Sequence, residues 1–237
     1  MTTTTPDPDE HLYRLAAESL AVGDPTGWFE RLYADAADGL AAVPWDRTAP
    51  HPVLVDWVRA RDLDPAGRLA LVVGFGLGAD AEYVAGLGYN TTAFDISPSA
   101  VRTVRERFPR SPVRYVAADL LDPPAQWRAA FDLVVESNTV QSLPPSVQPR
   151  AIGQLAGLVA GGGTLIVIAI GRDAPPGQVD GVESRGQGLQ GGPPWPLTPE
   201  QFDAFSGHGL QPIQVEELPH PDGPPTRRWR AEFHRPP

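Results

Sequence analysis

The sequence contains no cysteine and no lysine, so all 19 of its basic residues are arginine. Without cysteine there can be no disulfide, no thiolate metal site and no cysteine nucleophile. Without lysine, Schiff-base catalysis and the phosphate-gripping lysine of a P-loop are excluded. No apolar run is long enough to cross a bilayer, and residues 1–10 have threonine, proline and acid where a signal peptide needs a basic and then an apolar segment. A cytoplasmic protein with no membrane partner is expected. Basic patches are missing too: 29 acidic residues outweigh the arginines, the net charge is −10, and no arginine-dense stretch exists. Such a surface is a poor match for nucleic acid. No metal site is expected.

What is present suits one folded domain. The chain has 237 residues, 41% of them apolar, enough for one substantial core and short for two. Residues 1–10 are expected to be a disordered tail, residues 11–66 a helical cap and residues 67–237 the core. Apolar residues at helical spacing (Leu12, Leu15, Leu20, then Trp28, Leu32, Tyr33) predict two short helices broken near Gly23-Asp24-Pro25. A third helix follows Pro52. Beyond it, short apolar runs alternate with helical segments: Leu69 to Val73, Asn90 to Phe94, Val113 to Ala117, Phe131 to Val135 and Thr164 to Ile170. That alternation predicts a doubly wound α/β fold with a mostly parallel sheet. Residues 171–196 are crowded with glycine and proline and are expected to form an extended loop. Thr198-Pro199-Glu200-Gln201 carries the signature of a capped helix start. Two terminal runs, Gln211 to Leu218 and Arg227 to His234, are expected to pair antiparallel, which makes seven strands.

Gly74-Phe75-Gly76-Leu77-Gly78 lies between the first buried strand and a helix. Glycines there let the backbone turn sharply and approach a ligand closely. Asp95 ends the next strand, at a spacing where an acid accepts from ribose hydroxyls. Helix capping is its alternative role, although Ser97-Pro98 already supplies a cap. Gly74-x-Gly76-x-x-Ala79 also satisfies the dinucleotide fingerprint of nicotinamide-dependent oxidoreductases. The two readings part further along, where Asp119-Leu120 closes the third strand, Glu136 ends the fourth, and a terminal strand pair replaces a second nucleotide-binding half.

In that order of elements, residues 43–235 resemble a class I methyltransferase dependent on S-adenosyl-L-methionine. The tryptophan-containing loop Pro44-Trp45-Asp46 and the following Pro50-His51-Pro52 resemble the small-molecule group of thiopurine, tellurite and halide or thiol methyltransferases. The resemblance implies that Gly74, Phe75, Gly76 and Gly78 pass beside the methionine and ribose, that Asp95 binds the ribose, and that Ile96 packs on the adenine. It further implies that Asp119 and Leu120 contact the adenine amino group, and that Glu136 and Ser137 lie below the reacting sulfonium. Phe75 departs from the small residue or cysteine common in relatives. Trp45 would cover the methionine end, where an aromatic face also attracts the positive sulfonium and ammonium groups.

His51, Asp46 and Glu136 are candidate bases for an acceptor that must lose a proton. Each has a structural alternative: a loop residue, a partner for an arginine, or a cofactor contact. Trp28, Tyr33, Arg172 and Trp195 are candidate walls of an acceptor pocket, although Trp28 and Tyr33 also lie on a helical stripe that packs a core. The expected partner is a small-molecule methyl acceptor, and the chain is a monomer or homodimer. A nicotinamide-dependent oxidoreductase and an inactive methyltransferase-fold binding protein remain as alternatives.

Overall fold

The computed structural model describes residues 8–171, 192–219 and 227–237. Seven strands make one sheet in the order β3-β2-β1-β4-β5-β7-β6. They are β1 Leu69–Val73, β2 Asn90–Asp95, β3 Arg114–Ala117, β4 Phe131–Ser137, β5 Val159–Gly171, β6 Gln211–Leu218 and β7 Arg227–His234. The first five pair in parallel. β7 runs antiparallel to both β5 and β6. This is the doubly wound, mostly parallel seven-stranded sheet read from the sequence. Its far edge, a hairpin-like pair, replaces the second half of a dinucleotide-binding sheet.

Strand positions follow the apolar runs closely, with one exception. β5 begins at Val159, not Thr164, because Val159 pairs with Phe131 before the register shifts to Leu133 with Thr164. The intervening Gly161-Gly162-Gly163 absorbs the irregularity, with Gly162 at φ +77°.

Two helical layers cover the sheet. α4 (Ala79–Gly86) and α5 (Pro98–Arg107), with α3 (Pro52–Arg59), lie on one face; α6 (Gln148–Leu158) and α7 (Pro199–Ala204) lie on the other. Alternate residues of each strand feed the two cores, as the pleat requires. Val72, Leu133 and Ile166 pack with Trp57, Val84 and Val104, whereas Leu71, Val134 and Leu165 pack with Ile152, Leu155 and Phe202. α7 begins with the anticipated capping box, in which Thr198 accepts from the Gln201 amide and Gln201 accepts in return from Thr198 N–H.

The cap consists of α1 (Pro8–Ala21) and α2 (Gly27–Ala37). α1 starts three residues earlier than expected, so residues 8–10 belong to the helix and not to a tail; residues 1–7 lie outside the described ones. The break falls at Gly23, φ +77°, and Asp24 then receives the amides of Thr26 and Gly27 to start α2. A small core of Leu12, Leu15, Trp28 and Leu32 holds the two helices together. Side chains moor this cap. Glu30 accepts from the Ser97 and Ser99 hydroxyls and from the Ser99 amide at the start of α5. Asp80, in the first turn of α4, takes the His51 amide at 2.6 Å and pairs with Arg47 at 3.1 Å.

Candidate active site

A cavity of about 600 Å³ opens at the carboxyl ends of the parallel strands, beneath the cap. This is where ligands bind in open α/β sheets, and the volume suits a small molecule together with a nucleoside. The segments that follow β1, β2, β3 and β4 all contribute to it.

The bend after β1 is built from backbone. Gly74 and Gly76 have φ of +58° and +60°, a region that side chains other than glycine's rarely adopt. A Cβ on Gly74 would lie 2.3 Å from Thr139 Oγ1, so nothing larger fits there; a Cβ on Gly76 would meet Trp45 at 3.3 Å. Gly78 has a different reason to be glycine. It is the N-cap of α4 at φ +92°, and a Cβ would strike Val104 of α5 at 2.5 Å. Gly78 is not among the residues lining the cavity, so its expected contact with a cofactor gives way to a packing role. Phe75 is accommodated because its buried ring lies edge-on to Tyr115, centroids 5.0 Å apart.

Asp95 lies under this bend. Its Oδ2 accepts from the Gly76 amide at 3.1 Å and its Oδ1 from the Ser97 amide at 3.1 Å. It was expected to be left wholly for a ligand; instead it ties the glycine bend to the start of α5. Each oxygen still has acceptor capacity beyond one amide. Burial pushes the carboxyl up to about 6, against the lowering effect of the Ser97 and Gly76 amides. Asp119 and Leu120 line the cavity after β3, Asp119 accepting from the Leu121 amide at 2.7 Å, and Ile96 lines it after β2.

The roof is aromatic. Trp45 Nε1 donates to Tyr33 Oη at 2.7 Å, and the Trp45 ring stands edge-on to Trp28, Phe29 and Tyr33 at 6.0–6.3 Å. Burial, reinforced by the nearby Asp95 charge, raises the Tyr33 phenol well above its ordinary range and keeps it neutral. Tyr33 therefore belongs with the glycine bend more than with an acceptor pocket. Trp28 stacks on Phe29 with centroids 3.7 Å apart; it is both a core residue and a lining residue.

Of the three candidate bases only His51 lines the cavity. His51 lines the cavity but is 2% exposed, and its Nδ1 accepts from Val53 N at the start of α3. That bond assigns the proton of a neutral ring to Nε2, which then donates instead of accepting. Asp46 pairs with Arg107 at 2.8 Å and does not line the cavity. Glu136 is 0% exposed and lies below the floor, where its Oε1 receives the amides of Thr139 and Val140. Burial raises its carboxyl to about 7, opposed by those two amides. Ser137, next in sequence, does line the cavity, and its Oγ is buried without a hydrogen-bond partner among the described residues.

Arg172 lies outside the described residues. Trp195, expected to close over a substrate, does not line the cavity; Pro193 and Pro194 do. The backbone explains the difference. Trp195 N–H donates to Gln141 O at 2.6 Å and its carbonyl accepts from Gln148, which holds the ring in a buried position. Gln148 also donates to the carbonyls of Val140 and Leu143 and accepts from Gln201, so one buried amide joins the floor to the start of α7. Neither Gln141 nor Gln148 was singled out in the sequence. Arg228, the second residue of β7, was missed as well. It lines the cavity opposite Ile170 of β5.

Residues 71–167 match a family described as a methyltransferase domain. A ubiquinone biosynthesis O-methyltransferase of Xanthomonas axonopodis pv. citri is 32% identical over 154 residues, which cover 61% of this chain and 63% of the relative, so the match spans less than two thirds of that protein's length. The expected likeness to the thiopurine, tellurite and halide or thiol group gives way to ubiquinone biosynthesis O-methyltransferases, another of which, from Xanthomonas oryzae pv. oryzae, is 32% identical over 157 residues. Among solved structures, a Burkholderia thailandensis 1,6-didemethyltoxoflavin N1-methyltransferase with bound S-adenosylhomocysteine superimposes with TM-score 0.61 at 16% identity, covering 100% of this chain and 94% of that one. A [4+2]-cyclase superimposes equally well, TM-score 0.61 at 17% identity, covering 99% and 96%. These likenesses establish the fold.

Proposed function

We propose, on the premise that residues 71–167 form a class I methyltransferase domain, that the chain transfers a methyl group from S-adenosylmethionine to a small, partly apolar acceptor. The observation that supports this reading is a left-handed glycine bend at Gly74 and Gly76 that lines the cavity with main chain, joined directly to a buried carboxylate on the neighbouring strand. When bound, the cofactor supplies a methyl group on a positive sulfur: the acceptor lone pair forms the new bond to carbon as the S–C bond breaks, and the electron pair stays on sulfur.

The chain's own residues supply position and charge. Asp95 keeps acceptor capacity that would serve the ribose hydroxyls while holding the bend in place, and Ile96, Asp119 and Leu120, which line the cavity, would hold the adenine. Trp45, fixed by Tyr33, would present an aromatic ring to the positive methionine end. His51, Asp46 and Glu136 do not supply an accepting group to the cavity, so holding the reactants in line contributes most of the acceleration. An acceptor that ionises readily, such as an acidic phenol or a thiol, suits this site. The O-methyltransferase relatives favour oxygen.

The direct test is incubation with methyl-deuterated S-adenosylmethionine and a panel of phenols, thiols and amines, followed by mass spectrometry. A labelled product and an equal amount of S-adenosylhomocysteine are expected. Cofactor binding with neither product across the panel would favour the other reading, a protein that uses the fold without methylating. The [4+2]-cyclase of the same fold is the observation that keeps this second reading in view.

A further inference from the structure

We infer that the methyl group goes to a hydroxyl conjugated with a carbonyl group, and that the side-chain amide of Gln141 holds the carbonyl oxygen. The inference rests on the methyltransferase reading and adds to it a substrate class and a specificity-determining residue.

Gln141 is the middle residue of a short helical turn (Val140–Ser142) that follows β4, on the side of the cavity away from the adenine residues of β2 and β3. Two bonds fix it. Its backbone carbonyl accepts from Trp195 N–H at 2.6 Å, and its Oε1 accepts from Ile170 N–H near the end of β5. A backbone N–H can only donate, so the side-chain atom it meets is the oxygen, and the NH2 group with its two donors is left over. Nε2 makes no hydrogen bond among the described residues. Gln141 is 4% exposed and lines the cavity, so the little surface it keeps opens there. A donor held this firmly without a protein partner calls for an acceptor atom on the ligand.

Asn138, three residues earlier, points the same way. It lines the cavity at φ +62°, and its side-chain amide also makes no hydrogen bond among the described residues. Asparagine tolerates that backbone better than most residues, and such outliers gather at ligand sites. Ile170, Pro193 and Pro194 line the cavity as apolar walls for a flat molecule.

Two requirements then meet in one substrate. His51, Asp46 and Glu136 offer no accepting group to the cavity, so the hydroxyl has to ionise without them. A conjugated carbonyl makes this possible, because ionisation spreads the negative charge onto the carbonyl oxygen, where the Gln141 N–H stabilises it. The proton goes to water, the hydroxyl oxygen's lone pair forms the bond to the methyl carbon, and the S–C electron pair stays on sulfur. The product is a neutral methyl ether. A hydroxyl without the conjugated carbonyl gains neither the ready ionisation nor the Gln141 bond.

The test uses the protein saturated with S-adenosylhomocysteine and three probe pairs: 4-hydroxyacetophenone against 4-ethylphenol, 4-hydroxycoumarin against 1-naphthol, and 2-hydroxy-1,4-naphthoquinone against 2-naphthol. Calorimetry is expected to show at least one carbonyl compound binding about tenfold or more tightly than its partner, an effect of about 1.4 kcal/mol. Gln141→Glu keeps an oxygen for the Ile170 amide and replaces the donor with a negative acceptor, so that preference should fall below about threefold. Gln141→Met, which offers no donor, should lose it as well. Thermal unfolding and S-adenosylhomocysteine binding of each variant report folding and the cofactor site separately. Equal affinities within every pair, no binding by any probe, or a preference that survives both substitutions would overturn the assignment. A folded Gln141→Glu variant that loses S-adenosylhomocysteine affinity would put the amide on the cofactor and overturn it too. If S-adenosylhomocysteine itself does not bind the unaltered protein, the methyltransferase reading fails first, and the two failures are distinguished.

Discussion

The two halves of the cavity are made in different ways. Over β3-β2-β1 the site consists of main chain and short acids: a bend with two left-handed glycines, and a carboxylate that holds two amides. Over β4-β5-β7 it consists of side chains brought from far apart in sequence, with Trp28 from the cap, Ser137 from β4, Pro193 from the segment before α7 and Arg228 from β7. Main-chain geometry requires particular residue types at fixed spacing, whereas a wall of side chains can be assembled from almost any sequence separation. The first half therefore suits a cofactor common to many proteins, and the second can vary with the acceptor.

If this contrast is right, mutations in the first half should affect nucleotide binding strongly. The largest effect is expected from Gly74→Val, which must adopt φ +58° and displace Thr139. Calorimetry should show S-adenosylhomocysteine affinity falling by roughly 100-fold or more, equivalent to about 3 kcal/mol of strain and collision. Asp95→Ala comes next, with a loss of about tenfold or more from removing a charged acceptor. For the unaltered protein, affinity should decline as pH falls through about 6, where protonation removes one of the acceptor sites of Asp95. A flat profile between pH 5 and pH 8 would remove Asp95 from the ribose contact.

Glu136, beneath the floor between the halves, should influence stability more than binding. Its carboxyl is raised from 4.5 to about 7, so the folded state holds a proton more tightly than the unfolded chain does. The stability this contributes is complete below pH 4.5 and is lost as pH rises through about 7. Glu136→Gln, which keeps an oxygen for the Thr139 and Val140 amides, should raise the unfolding midpoint relative to wild type by a few degrees at pH 8, roughly 5 °C. The advantage should shrink toward pH 5, and a difference independent of pH would show that Glu136 does not titrate in this range. Asp46→Asn should have the smallest effect. Its partner Arg107 is on the surface of α5, and an exposed pair of this kind contributes about 1 kcal/mol or less, so turnover should stay within about twofold.

The same contrast accounts for what could be read in advance. Strands, caps and the glycine bend depend on residues close together in sequence, and the two cores follow directly from strand alternation. Ser97 and Thr198 act as the caps their sequence contexts suggested. Misplacements arose where a residue's role depends on a distant neighbour. Asp46 is paired with Arg107, 61 residues away, and the carbonyl of Trp195 is held by Gln148, 47 residues away; only His51 has its partner, the Val53 amide, close in sequence. Glu30 gave no local sign that it would join α2 to the serines of α5, nor did Arg228 that it would reach the cavity. Gly78 was expected beside the cofactor with Gly74 and Gly76, and the constraint that the structure gives it comes from Val104 on the next helix, which its own surroundings in sequence do not reveal.

Isothermal titration of the unaltered protein with S-adenosylhomocysteine, and with NADH in parallel, tests the central claim most directly. One equivalent of S-adenosylhomocysteine should bind in the micromolar range, with no heat from NADH. Absence of S-adenosylhomocysteine binding up to about 1 mM, a limit near −4 kcal/mol, or preferential binding of NADH, would contradict the account.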